Sequence, residues 1–373
     1  MSNRKLVILS IVAGVMIVWA TIQSRIARGP ARAPLGTSYL IQGLDPGRIA
    51  SIVIGTGENA VRLVRQGDRF VVGNKDNYPA VISKINDLIT SCLDIRTAGL
   101  ITSNPANHGD LEVSEEKTRN IVKFLDNDGQ TITGVVIGRT NSERRSTYVR
   151  LTSSNDVYIT TEALQAPDSA MDYVEKEIAN ISRDDVVRVT VTGPNDIYTL
   201  KVDDSNDDNI ILEGVPKGKK LKQSDARQVL SALSYLSFSD VKRESSEEGK
   251  LLFEHAFVCE SKDEILYIFD IARTDNEGYV KCKAEYIGEA EILIERGKKT
   301  KEELKDKEAK FLARDKAVSF SKRHQGWVYE IPEYKAKDLT RKLAELLEEQ
   351  KDKETEKSAS ASNSGDTKGK PPK

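Results

Sequence analysis

Five blocks of this chain occur twice in the same order, and that repetition restricts the fold more than any other feature of the sequence. From Arg48 the chain reads RIASIVIGTGENAVRLV, and from Asp185 it reads DVVRVTVTGPNDIYTLK. Each is a strand, a glycine-containing turn and a second strand, with the two-residue period of a half-buried hairpin. A helix is expected next in both copies. The first should begin at Pro79 and align Val81, Ile82, Ile85, Leu88, Ile89, Cys92 and Leu93. The second should be capped by Ser224 or Asp225 and align Ala226, Val229, Leu230, Leu233 and Leu236. Phe124 to Thr140 then lines up without a gap with Val258 to Thr274, Asp128-Gly129 supplying the turn of the first copy. Tyr148-Val149-Arg150-Leu151 matches Tyr279-Val280-Lys281-Cys282, and Val157-Tyr158-Ile159 matches Val328-Tyr329-Glu330 after an insertion. The fold class implied is α+β: two related strand-strand-helix-strand modules, an internal duplication.

The expected boundaries are 48–184 for the first repeat and 185–350 for the second. A helix over Ala170 to Ile181, carrying Met171, Val174 and Ile178, should bridge them. The insertion at Lys298 to Arg314 is mostly charged, with Leu304, Phe311 and Leu312 as its few apolar residues, and reads as a solvated helix. Leu339 to Leu347 reads as a last amphipathic helix. The tail, 351–373, has no large apolar residue and should be disordered.

At the other end, Leu6 to Ile22 (LVILSIVAGVMIVWATI) holds no charge and is flanked by Arg4 and Lys5 before it and Arg25, Arg28 and Arg32 after it. A helix of that length covers roughly 25 Å, the short end of a bilayer span, and Trp19 is placed for an interface. Residues 1–22 are therefore expected to be an uncleaved anchor, a cleaved signal peptide being the alternative. Basic residues on both flanks leave orientation undecided by charge. Residues 23–47, with Pro30, Pro34 and Pro46, read as a flexible linker that keeps the body near the membrane.

Lys and Arg total 56 against 58 Asp and Glu, so no cationic excess exists for a phosphate backbone and nucleic acid is not an expected partner. Three histidines (His108, His255, His324) and three cysteines (Cys92, Cys259, Cys282) are scattered, which argues against metal sites and a disulfide framework. Asp126-Asn127-Asp128-Gly129 lacks the closing glutamate of a calcium loop, and Gly55-Thr56-Gly57 lacks the lysine and third glycine of a phosphate loop. Both read as turns. Asp203 to Asp208 (DDSNDD) reads as a solvated hairpin tip rather than a cation site. No histidine stands near a glycine-flanked serine or a reactive cysteine, so no catalytic residue and no cofactor is expected. Tyr148, Arg150, Tyr279 and Lys281 recur in both copies, and Trp327 is the one tryptophan outside the apolar segment. Sheet packing suffices to explain the tyrosines and core burial to explain Trp327, and a partner surface made of these five residues is the alternative.

The stretches VSEEKTRNIVKFLDNDGQTITGVVIGRT, STYVRL, DVYIT and MDYVEKEIANISRDDVVRVTV, following an apolar anchor, resemble an uncharacterised bacterial domain family. Its members are membrane-anchored and often encoded beside a gliding-motility-type ABC transporter, next to the permease and its large auxiliary subunit. The resemblance implies a body on the outer, periplasmic face of the inner membrane and an accessory role with those subunits, and it carries no functional residues. The charged insertion and the lysine-rich tail depart from the family pattern. The expected function is a non-enzymatic, partner- or ligand-binding envelope component, the small ligand unidentified. An envelope-polymer hydrolase with carboxylates converging between the repeats, or a structural spacer, are the alternatives.

Overall fold

The structure, a computed structural model, describes residues 37–288 and 301–350 apart from 117, 119, 142–144, 165, 204, 248 and 275. The expected anchor with Leu6, Trp19 and Ile22, most of the linker and the tail lie outside the described residues. Among the described residues no helix is long and apolar enough to cross a membrane. The chain divides between Val174 and Glu175 into two compact units, so segment 175–184 goes with the second. Each unit is an antiparallel sheet carrying helices, a mixed α+β architecture.

The first unit contains β1 (Ser38–Tyr39), β2 (Ser51–Ile54), β3 (Val61–Gln66), β4 (Arg69–Val72), β5 (Tyr78–Pro79), β6 (Arg96–Thr102), β7 (Ile121–Leu125), β8 (Thr131–Asn141), β9 (Ser146–Leu151) and β10 (Val157–Thr160). They hydrogen-bond in the order β1-β6-β10-β9-β8-β7-β2-β3-β4-β5. Alternate residues of β2 and β3 (Ile52, Ile54, Val61, Leu63) enter the core, as the two-residue period requires. Helix α1 is Ile82–Leu93, later than expected. Pro79 instead ends the edge strand β5, a position where its missing N–H is tolerated. Ile85, Leu88, Ile89 and Cys92 are the buried stripe of α1, while Ile82 faces solvent. The β7–β8 turn closes on Gly129 at φ +75°, with Asp126 Oδ1 accepting from the backbone of Asp128 and Gln130.

The second unit contains β11 (Glu177–Ala179), β12 (Val186–Thr192), β13 (Ile197–Asp203), β14 (Asn206–Leu212), β15 (Lys219–Leu221), β16 (Leu236–Ser237), β17 (Asp240–Arg243), β18 (His255–Ser261), β19 (Ile265–Arg273), β20 (Gly278–Tyr286), β21 (Trp327–Ile331) and β22 (Leu347–Glu349). Its main sheet runs β14-β13-β12-β18-β19-β20-β21-β17, with β11–β16 and β15–β22 as small separate pairs. Helix α2 (Gln223–Leu230) follows Lys222, so Ser224 and Asp225 lie inside it rather than capping it. Gln223 explains the early start: its side-chain amide both donates to and accepts from the backbone of Ile210 on the edge strand β14. Helix α3 (Lys301–His324) extends well past Arg314, because Ala313, Ala317, Phe320 and His324 supply a stripe at helical spacing that packs on β20. Leu304, Phe311 and Leu312 are exposed, as a charged surface helix requires.

Two expected helices are not formed. Ala170–Tyr173 is a single 3₁₀ turn, after which Val174 is extended and Glu177–Ala179 is strand β11. Tyr173 and Val174 are both buried in the first unit. The last segment is helix α4 (Glu333–Leu339), a 3₁₀ turn at Leu343–Leu346, then β22. Thr340 Oγ1 donates to Ala336 O at 2.7 Å, occupying the final turn of α4 as it ends.

Without β1 and β5, the first sheet reads β6-β10-β9-β8-β7-β2-β3-β4, and the second, β17-β21-β20-β19-β18-β12-β13-β14, has the same order of strands. Registers agree as well. Leu63, Ile52, Phe124 and Thr133 form one cross-strand row, and Leu200, Val189, Cys259 and Tyr267 form the row at the same place in the second sheet. Ile137–Val149–Tyr158 is matched likewise by Ile271–Val280–Tyr329. The gapless alignment of Phe124 with Val258 is therefore one residue out on this strand, since Cys259 holds Phe124's place. A bulge between Phe124 and Leu125 in the β7–β8 ladder absorbs the difference.

Candidate binding pocket beside the first helix

In the first unit, α1, Ile95, Ile137 of β8 and the segment from Leu164 to Tyr173 enclose a hollow of about 410 Å³, within the size range of ligand sites. Its floor is apolar: Leu88, Cys92, Ile95, Ile137 and Tyr173 are each at most 5% exposed. The rim is polar and comes from one face of α1, where Lys84, Asp87 and Ser91 follow at helical spacing, with Asp172 opposite. The helix buries Leu88 and Cys92 on the adjacent face, so one element supplies both floor and rim.

Hydrogen bonds set the walls. The Val81 N–H, just before α1, donates to Tyr173 O at 2.8 Å, and Lys84 Nζ donates to Val174 O at 3.1 Å. Tyr173 Oη donates to Pro167 O at 2.8 Å, and Leu164 N donates to Thr147 Oγ1 at 3.1 Å, which fixes the outer segment. Burial pushes the Cys92 thiol up to about 12, so it stays neutral and unreactive at ordinary pH. Burial, then Asp172 and Cys92, push the Tyr173 phenol up too. The arrangement takes up apolar side chains or a small apolar group, and orients it through rim charges.

Other hollows lie in the second unit. One, of about 700 Å³, lies between α3, the β18–β19 turn and β11. Its polar groups are spent on each other: Lys316 pairs with Asp263 at 2.9 Å, Ser261 Oγ donates to Asp263, and Arg323 donates to Glu177 O at 3.1 Å. Burial raises the Asp263 carboxyl, but Ser261 and Lys316 outweigh it and hold it below the usual range. Another, of about 530 Å³, is bordered by Lys281, Glu244 and Arg243.

Of the expected partner-surface residues, Tyr148 and Arg150 belong to the first unit and Tyr279, Lys281 and Trp327 to the second. Arg150 is buried at 6% exposure, donating to Val113 O and Leu151 O and pairing with Glu115 at 3.4 Å, so it is an internal brace. Trp327 is also buried, its ring covered by the Arg243 guanidinium at 3.8 Å. Tyr148 packs against the cluster of Val113, Ile121, Val136 and Val157. Tyr279 donates to Glu277 at 2.5 Å, and Lys281 pairs with Glu244 at 3.0 Å above the Phe253 ring. Among the described residues no group of three potential metal ligands converges. The three cysteines are free and buried.

The periodicity of α1 picks out Leu88 and Cys92 of the floor but not the rim residues Lys84, Asp87 and Ser91, and nothing local marks that the segment after β10 leaves a gap beside them.

A family described as a domain of unknown function (DUF4340) matches residues 71–252, a stretch that contains every residue lining this pocket. No curated protein and no solved structure matches the chain.

Proposed function

We propose, from the domain-of-unknown-function match over residues 71–252, that this chain is a non-enzymatic envelope protein that binds a partner subunit through the pocket beside α1. The observation that carries this reading is the pocket itself: an apolar floor under a charged rim. Leu6 to Ile22 supplies a single-span anchor in the bacterial inner membrane, and the body lies on its periplasmic side. The resemblance set out above names the partner class, the permease and auxiliary subunit of a gliding-motility-type ABC transporter. The two units descend from one duplicated module; the common strand order and registers support this, and a binding role fits two related scaffolds that have kept different surfaces.

Two experiments test the reading. The tagged full chain, purified from membranes in mild detergent, brings down the permease and auxiliary subunit. Recovery of the chain alone, while other inner-membrane complexes stay intact, rejects it. A reporter active only outside the cytoplasm, fused after Lys373, is active; a stable but inactive fusion rejects the location.

A further inference from the structure

In the second unit the place of this pocket is filled by the chain's own helix. Both units return after their last repeated strand to the start of the helix, ending in the same hydrogen bond: Val81 N to Tyr173 O in the first, Lys222 N to Leu346 O in the second, both 2.8 Å. Tyr173 and Leu346 each close a 3₁₀ turn, Ala170–Tyr173 and Leu343–Leu346. Counting from Val81 and Lys222, the buried stripe Ile85, Leu88, Ile89 and Cys92 falls on Ala226, Val229, Leu230 and Leu233, all buried. The rim residues Lys84, Asp87 and Ser91 therefore correspond to Asp225, Gln228 and Ala232.

Those three positions of the second unit are the seat of the α4 segment. Arg341 Nη1 pairs with Asp225 at 3.3 Å, Arg341 Nη2 donates to Gln228 Oε1 at 2.7 Å, and Lys335 Nζ donates to Ala232 O at 3.2 Å. Ala336 and Leu339 of α4 are fully buried. Ala232 is covered at 1% exposure, whereas Ser91 at the same place in the first unit is exposed. Beneath them, Ile271 and Ile137 hold the same register position against Val280 and Val149.

The cause of the difference is local. Gly278 of β20 lets α4 lie directly on the strand, since a Cβ there would stand 2.3 Å from Ala336 Cβ. At the matching place in β9 stands Thr147, whose hydroxyl accepts from Leu164 N and ties down the returning segment there. Among its described residues that segment contains no α-helix, and the space beside α1 stays open.

We infer that the pocket beside α1 is the seat of a short amphipathic helix supplied by a partner protein, docked as α4 docks on α2. This rests on the reading of the chain as a partner-binding protein. The occupant inserts an alanine and leucine pair spaced like Ala336 and Leu339, and a pocket of about 410 Å³ suits a few such side chains rather than a large cofactor. Its polar contacts differ from those of α4. Lys84 stands where Asp225 receives Arg341, so the occupant carries an acidic residue at the position of Arg341, and a basic one near Asp87 and Asp172.

The direct test is a fluorescein-labelled peptide of residues Pro332–Lys342 carrying Arg341→Glu, titrated by anisotropy into the full chain in detergent. Saturable binding is expected, with Kd on the order of 10–100 µM. Ser91→Trp, which fills the pocket from the exposed face of α1, weakens it at least tenfold. Lys84→Glu, which sets a carboxylate against the one that Arg341→Glu places in the peptide, weakens it several-fold, and Leu339→Asp in the peptide abolishes it. Binding untouched by both protein variants, or no binding where dodecanoate binds and is displaced by Ser91→Trp, overturns the inference. The detergent purification keeps the two claims apart: if the wild type recovers transporter subunits and Ser91→Trp recovers them equally, the pocket assignment fails while the partner-binding reading stands. If the wild type recovers none, the reading fails, whatever the peptide does.

Discussion

The helix α1 of the first unit and the helix α2 of the second sit on sheets of one strand order, yet Ser91 of the one is exposed while Ala232 at the corresponding place beside the other is covered. Helix α2 packs against α4, whereas beside α1 the chain passes as a segment whose Leu164 N–H is held by Thr147. The strand beneath carries Gly278 in one unit and Thr147 at the matching place in the other.

The difference should appear first in stability. Leu339→Ala, at a fully buried position of α4, is expected to destabilise the second unit by about 2–5 kcal/mol. Leu164→Ala, half-buried in the corresponding segment of the first unit, should cost about 1 kcal/mol or less. Separate unfolding transitions followed by urea titration would measure both; equal costs would mean that the first segment is as well packed as α4.

Acid should separate the units next. His324 of α3 is 1% exposed, and its Nδ1 lies 2.8 Å from Tyr329 Oη. Burial, then Arg323, lowers its imidazole from 6.5 to about 4. Because the folded value is depressed, the unfolded chain takes up the proton first as pH falls. Stability is lost between about 6.5 and 4, and the total is about 3 kcal/mol. His255, also in the second unit, is lowered by burial and by Arg273, and acts in the same direction. The second unit should therefore lose stability over this range, and His324→Gln should flatten the slope. A first unit that weakens equally over the same range would contradict this.

The smallest of these effects comes from exchanging the strand residue. Gly278→Thr copies the first unit into the second and should push α4 from the sheet at a cost of about 1–3 kcal/mol, with faster hydrogen exchange at Ala336 and Leu339. Unchanged protection of α4 would show that the glycine is not what admits it.

Much of this comparison was written in the residue pattern, and the decisive part was not. The strand blocks, the buried stripes of α1 and α2 and the Asp126–Gly129 turn follow from periodicity and turn chemistry, which act over a few residues. The bulge at Phe124 shifts a register by one without altering the alternation, so a gapless alignment misplaces it. Ala170 to Ile181 carries apolar residues at helical spacing, but Glu177 and Ala179 pair instead with β16 as strand β11. Core burial of Trp327 is the reading its sequence favours, but nothing in the chain announces the carbonyls around Arg150 or the guanidinium over the Trp327 ring. The pocket was illegible for the same reason: it is the absence of a covering helix, and only the other unit displays what is missing.

The central claim is that the exposed face of α1 is a partner's seat. Photo-crosslinking in intact cells tests it most directly, with benzoylphenylalanine placed at Ser91 on the pocket face or at Ser83, an exposed residue of α1 that does not line the pocket. The account predicts an adduct with a transporter subunit from position 91 and little or none from position 83. Equal adducts from both, or none from position 91 while the complex is intact, would contradict it.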